Sequence, residues 1–173
     1  MGHEGAFRDT VGCYIHFRAN GTMESCVVNA QGVNSHDLAL GPIEAEEFFS
    51  LEGGDKVDLL DAGGGDGFAV GGGNGAVLRY PHVSGLGAGS AELKLRAASG
   101  DGATVKVFAN ATEEAGLLAR CEVPPTGGLA VYAKIACAWG SAAAAVTGDV
   151  DLVLVVGSEA EGQEAVRVDR FWL

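Results

Sequence analysis

The sequence predicts an all-β protein, an antiparallel β-sandwich carrying an N-terminal β-hairpin appendage. Three observations lead there. Apolar residues along most of the chain alternate with a period of two rather than the roughly 3.6 of a helix. Clusters of glycine, proline, aspartate and serine interrupt the apolar segments at short spacing, as turns do between the strands of a sandwich. The one helix-tempting segment, the alanine run at Ser141–Val146, is too short to stand without packing and reads as a loop or a strand lead-in.

In chain order, Cys13–Phe17 and Glu24–Val28 flank an Asn20-Gly21 turn signal and form the hairpin. The polar segment Gly32–Pro42 is the boundary between this appendage, residues 1–38, and a domain over 43–173. An imperfect eight-residue repeat follows, GGGDGFAV at Gly63–Val70 and GGGNGAVL at Gly71–Leu78. It reads as glycine-permitted turns flanking short strands. A phosphate loop would need a helix after the glycines, and a calcium β-roll needs several nonapeptide copies. Leu93, Leu95 and Ala97, then Val105 and Val107, alternate with polar residues as half-buried strands do. Further strands are expected at Leu117–Val123, Leu129–Ala138, Val150–Val156 and Val166–Trp172.

A chain of 173 residues fits one domain plus an appendage, and no apolar run approaches the roughly 18 residues that span a bilayer. The formal net charge of −12 leaves no basic stripe for phosphates, which argues against nucleic acid and anionic membranes as partners. The first residues, MGHEGAFRDTVG, lack the cationic start and apolar core of a secretory signal peptide. The four cysteines fall into two local pairs, Cys13 with Cys26 and Cys121 with Cys137, each a candidate disulfide across turn-rich sequence. Cys121–Cys137 is the first choice, and four buried thiols are the alternative. His3, His16, His36 and His82 are scattered without metal-ligand spacing. Ser35-His36-Asp37 are adjacent in sequence, which is not the geometry of a catalytic triad.

Several collinear pieces carry a family resemblance: IEAEEF at Ile43–Phe48, LRY at Leu78–Tyr80, GAGSAELKLRAASGDGATVKVFA at Gly87–Ala109, CEVPPTGGLAVYAKIAC at Cys121–Cys137, and VDRF at Val168–Phe171. From Ile43 to Leu173 the chain resembles the family 6 carbohydrate-binding modules, jelly-roll sandwiches attached to polysaccharide hydrolases. GCYIHFRANGTMESCVVNAQGV at Gly12–Val33 resembles the closing strands of glycoside hydrolase family 43, a β-propeller. The resemblance implies an extracellular protein, secreted as part of a longer chain. It implies noncatalytic binding of polysaccharide or oligosaccharide, with xylan or arabinoxylan as first guess and a glycoside hydrolase catalytic domain as partner. A degenerate sandwich with a structural role, or a C-terminal fragment of an arabinan- or xylan-degrading hydrolase, is the alternative.

The resemblance also implies a structural calcium ion held by Glu44, Glu46 and Asp169, hard carboxylate oxygens of the kind calcium prefers. Alternation places Glu44 and Glu46 on one strand face. Similar modules clasp a sugar ring between two aromatic side chains beside an asparagine, and these positions read Phe68, Leu129 and Arg167 here. Leucine lacks a π face, while arginine remains a fork of hydrogen-bond donors. Tyr132 and Trp139 stand close enough in sequence to compensate, whereas Tyr80 and Trp172 are expected in the core.

Overall fold

The computed structural model describes residues 36–59, 68–86, 92–159 and 163–173. The expected hairpin, with Cys13 and Cys26, and the first five residues of the glycine repeat, 63–67, lie outside them. The described residues form ten strands: β1 (Ile43–Glu44), β2 (Ser50–Asp58), β3 (Phe68–Val83), β4 (Lys94–Ala98), β5 (Ala103–Ala109), β6 (Leu117–Val123), β7 (Ala133–Ala136), β8 (Ala138–Trp139), β9 (Val150–Gly157) and β10 (Val166–Trp172). Every pairing between them is antiparallel, in the order β7-β4-β10-β3-β9-β5-β6-β8, with β1 on β10 and β2 on β3. The path doubles back so that β6 packs against β4 and β7, giving the expected sandwich.

The core between the layers is aliphatic and continuous. Leu78, Leu95, Val105, Leu118, Leu154, Val168 and Phe171 are each at most 2% exposed, and all lie in one cluster. They come from the inward positions of alternating strands, which is why the period-two segments located them. Tyr80 completes this core with its ring edge-on to Phe171, 5.1 Å between centroids, and its hydroxyl donating to the Ala45 carbonyl at 2.8 Å. The described half of the expected linker is docked rather than loose. Leu38 is buried, and backbone hydrogen bonds join Leu38 and His36 to Ser84.

Four expectations are corrected. The second glycine repeat is not a turn between two short strands but part of the single strand β3. Its pairing with β2 slips between Gly72 and Val77, so that Gly73–Ala76 bulge out, with Gly75 at φ +83°. The strand expected over Leu129–Ala138 begins only at Ala133 and breaks at Cys137, whose N–H donates to the Leu93 carbonyl. Ser141–Ala145 forms a 3₁₀ turn rather than a loop, closed by the N–H of the buried Val146 on the Ala143 carbonyl. Ala45–Glu47 is likewise a 3₁₀ turn, so the strand alternation expected to align Glu44 with Glu46 stops at Glu44.

Strand β10 contains the irregularity with the widest consequences. A period of two carried on from Val166 and Val168 would bury Arg170 and Trp172. Its register against β4 shifts between Val168 and Arg170, making Asp169 the extra residue of a bulge. The alternation therefore inverts: Asp169 and Phe171 are buried, and Arg170 and Trp172 face outward.

Candidate functional site

The loops at one end of the sandwich are pinned by a single fully buried serine. Ser99 Oγ donates to the Ala165 carbonyl at 2.7 Å and accepts the Gly102 N–H at 3.0 Å. The Ser99 backbone N–H donates to Thr126 Oγ1 at 3.0 Å, and the Thr126 N–H donates to the Ser99 carbonyl at 2.9 Å. The β4–β5 turn, the Thr126-Gly127-Gly128 turn and the approach to β10 are thus locked together. Leu129, partly exposed, follows the second of these, and Arg167 lies just inside the third.

Arg167 and Tyr132 do come together, although not as free donors. Arg167 is gripped by Glu164 through two parallel hydrogen bonds, Nε to Oε1 at 2.8 Å and Nη2 to Oε2 at 3.0 Å. The Glu164 hydrogen bond raises the Arg167 pKa further above its ordinary value. Tyr132 senses Arg167, Asp169, Arg96 and Glu164 electrostatically, with burial as the main influence pushing its phenol upward. Its ring lies 4.9 Å from the Arg96 guanidinium carbon, and its hydroxyl is buried without a hydrogen-bond partner.

Phe68 stands apart. Gly71 is the residue of β3 that faces Arg167, and Phe68, three positions away, points to the other side of the strand. The ring is 40% exposed, and Lys56 Nζ lies over it 4.2 Å from the centroid. A sugar stacking on that face would displace a cation–π contact.

Beside the Arg167–Glu164 pair opens a groove of about 380 Å³ that sequence reading missed. Gly71, Gly72 and Gly73 form its floor, and Asp55, Asn74, Gln163 and Glu164 line it. The floor has to be bare: a Cβ on Gly71 would run into the Glu164 carboxylate, and one on Gly73 would come within 2.7 Å of the Gln163 carbonyl. Glycine thus serves here to let Glu164 and the Gln163 backbone close against the strand, leaving Gly71 and Gly72 themselves buried, a role that the repeat alone could not disclose. Carboxylates and amides of this kind are hydrogen-bonding partners for hydroxyl groups.

The three expected calcium ligands gather at one corner with unequal readiness. Glu44 lies near Asp169, Glu46 and Glu47, and burial raises its pKa above 4.5 while Arg170 pulls it back. Glu46 has a buried carboxylate oxygen with no partner. Asp169, 1% exposed, already accepts from Arg96 Nη1 at 2.6 Å and Arg170 Nε at 2.8 Å, and Arg170 Nη1 reaches Glu44 at 3.2 Å. Among the described residues no three acidic, histidine or cysteine side chains are arranged to hold a metal ion. Glu46 keeps a carboxylate oxygen free for a cation, Glu44 shares its carboxylate with Arg170, and Asp169 is committed to two guanidinium groups.

The expected disulfide is present: Cys121 in β6 bonds Cys137 between β7 and β8, with the Cα atoms 4.2 Å apart. Tyr80 is core as expected. Trp139 packs partly buried against the core.

Solved structures share this architecture. A glycoside hydrolase family 43 arabinoxylan arabinofuranohydrolase from Bacillus subtilis, in complex with cellotetraose, matches 91% of this chain with a TM-score of 0.69 and 22% identity. This chain covers only 32% of that enzyme. The family 6 module CsCBM6-3 from Clostridium stercorarium, in complex with cellobiose, matches with a TM-score of 0.64 and 23% identity, over 80% of this chain and 95% of the module. A β-1,3-glucan-binding family 6 module from Bacillus halodurans gives a TM-score of 0.67 at 20% identity, over 80% of this chain and 98% of the module. Identities this low establish a common fold. No protein-family model matches the chain, and no curated protein matches it in sequence.

Proposed function

We propose that the chain is a noncatalytic carbohydrate-binding module of the family 6 kind, which holds an attached glycoside hydrolase on polysaccharide. The observation that carries this reading is the match of the sandwich to nearly the whole length of such modules, 95% of one solved with cellobiose. The glycine-floored groove beside Arg167 and Glu164 supplies the hydrogen-bonding surface. Tethering to polysaccharide raises the local concentration of the hydrolase at its substrate. Xylan or arabinoxylan is the proposed target, in keeping with the arabinoxylan enzyme that contains the same fold. The disulfide suits an extracellular setting.

Titration calorimetry against xylo-, cello- and arabino-oligosaccharides tests the reading, with Glu164→Gln, Arg167→Ala and Phe68→Ala as variants. Saturable binding that Glu164→Gln and Arg167→Ala remove and Phe68→Ala retains supports the groove. Binding lost only with Phe68→Ala moves recognition across the strand. Failure of every sugar to bind supports the second reading, a sandwich with a structural role, which the Lys56 cover on Phe68 and the leucine at position 129 favour.

Calcium belongs to the same proposal, held by Glu44 and Glu46 as a structural ion. Binding to the native state alone would raise the melting temperature with calcium concentration. A melting temperature identical in calcium and in chelator, with no calcium found by calorimetry, would refute it.

A further inference from the structure

The face of β4, β7 and the end of β10 carries a cluster that none of the expected sites uses. Cross-strand register sets Trp172 opposite Lys94, Arg170 opposite Arg96, and Arg96 opposite Lys134. These five point away from the core, while Leu95, Ile135 and Phe171 between them point into it. Trp172 is partly exposed and does not belong to the set of side chains packed on the core. Lys134 Nζ lies 5.9 Å from its ring centroid.

Four of the eleven lysines and arginines of a chain with net charge −12 therefore share one patch. Among the described residues two carboxylates form ion pairs with it, Asp169 between Arg96 and Arg170, and Glu44 on Arg170. They offset the two arginines and leave Lys94 and Lys134 as the surplus, with the exposed Glu92 two residues before Lys94 as the next acid along the chain.

We propose that this face binds a hexuronate unit, a carboxylate-bearing sugar carried on an otherwise neutral polysaccharide. The inference rests on the carbohydrate-binding role proposed above and names a class of ligand for it. Trp172 offers an aromatic face to the C–H surface of a pyranose ring, and Lys94 and Lys134 offer ammonium groups to its carboxylate. The rest of the chain decides against a dense polyanion. Closely spaced negative charges would meet the −12 field beyond the patch, whereas one isolated carboxylate interacts mainly within the screening length of about 8 Å.

The test is calorimetry on the whole chain with a xylo-oligosaccharide bearing one glucuronate branch, and with the same compound after carboxyl reduction. The acidic form is expected to bind about tenfold more tightly, as a charge-assisted hydrogen bond allows, and added salt should shrink the preference. Lys94→Gln with Lys134→Gln should equalise the two ligands. Trp172→Ala should weaken both. Equal binding of the two ligands by the unmodified chain, or a preference that survives the double lysine variant, overturns the proposal. So does tighter binding of a sulfated xylo-oligosaccharide than of the glucuronate form. Neutral sugars binding without any acidic preference would sink this inference alone, whereas no binding of either kind would sink the carbohydrate-binding reading with it.

Discussion

The two described tyrosines mark two kinds of place in the same sandwich. Around Tyr80 every requirement is met internally: the ring is sealed between the layers, packs edge-on to Phe171, and gives its hydroxyl to the Ala45 carbonyl. Around Tyr132 the requirements are left open, with a buried hydroxyl lacking a partner and a ring covered only by a guanidinium. A buried polar group that finds its partner at home contributes to stability. One that does not is a cost the fold has kept, and such costs gather where other molecules bind.

The comparison breaks most directly at Tyr80. Tyr80→Ala should cost about 3–5 kcal/mol of unfolding free energy by urea titration, as for other large aromatic truncations in a core. An equal loss from Tyr132→Ala would erase the distinction. Removing the disulfide with Cys121→Ser and Cys137→Ser, which frees a loop of sequence separation 16, should cost about 3 kcal/mol while leaving any sugar affinity intact.

Deleting only the hydroxyls sharpens the contrast. Tyr80→Phe leaves the Ala45 carbonyl without its partner and should cost about 1–2 kcal/mol, whereas Tyr132→Phe should fall within about 0.5 kcal/mol of no change or stabilise. Alkaline titration separates the two phenols further. Burial, then Glu46 and Glu47, raises the Tyr80 pKa well above 10.0, so the folded state favours its protonated form. That stability is complete below the unfolded value of about 10 and is lost as pH climbs toward the folded one. In a Tyr14→Phe background, the Tyr80 tyrosinate absorbance should therefore appear only together with unfolding, and its appearance in a still-folded protein would contradict the sealed environment.

Where side-chain alternation is regular, the fold was legible in the sequence. Strands β6 and β10 run over the residues that alternation indicated, and β9 extends one residue further. Glycine and alanine carry no such pattern, so the Gly73–Ala76 bulge and the Ser141–Ala145 turn emerged only from packing. The disulfide was readable because its cysteines lie close in sequence across turns. At the site, Arg167 and Tyr132 were readable by position, but Glu164 was not, since its importance comes from closing on Arg167 three residues later. Trp172 was misread for one reason: a single extra residue at Asp169 turns the end of β10 over, and local alternation gives no sign of it.

Strand β3 gives its first half to one layer, through Val70–Gly72 beside β10, and its second half to the other, through Val77–Val83 beside β9. The two layers therefore have no seam along which one can lift from the other, because peeling either strips hydrogen bonds from a strand they share. The groove sits at the crossing point itself. A ligand binding there would meet backbone held by strand pairing on both sides, which would limit the association energy spent on ordering it.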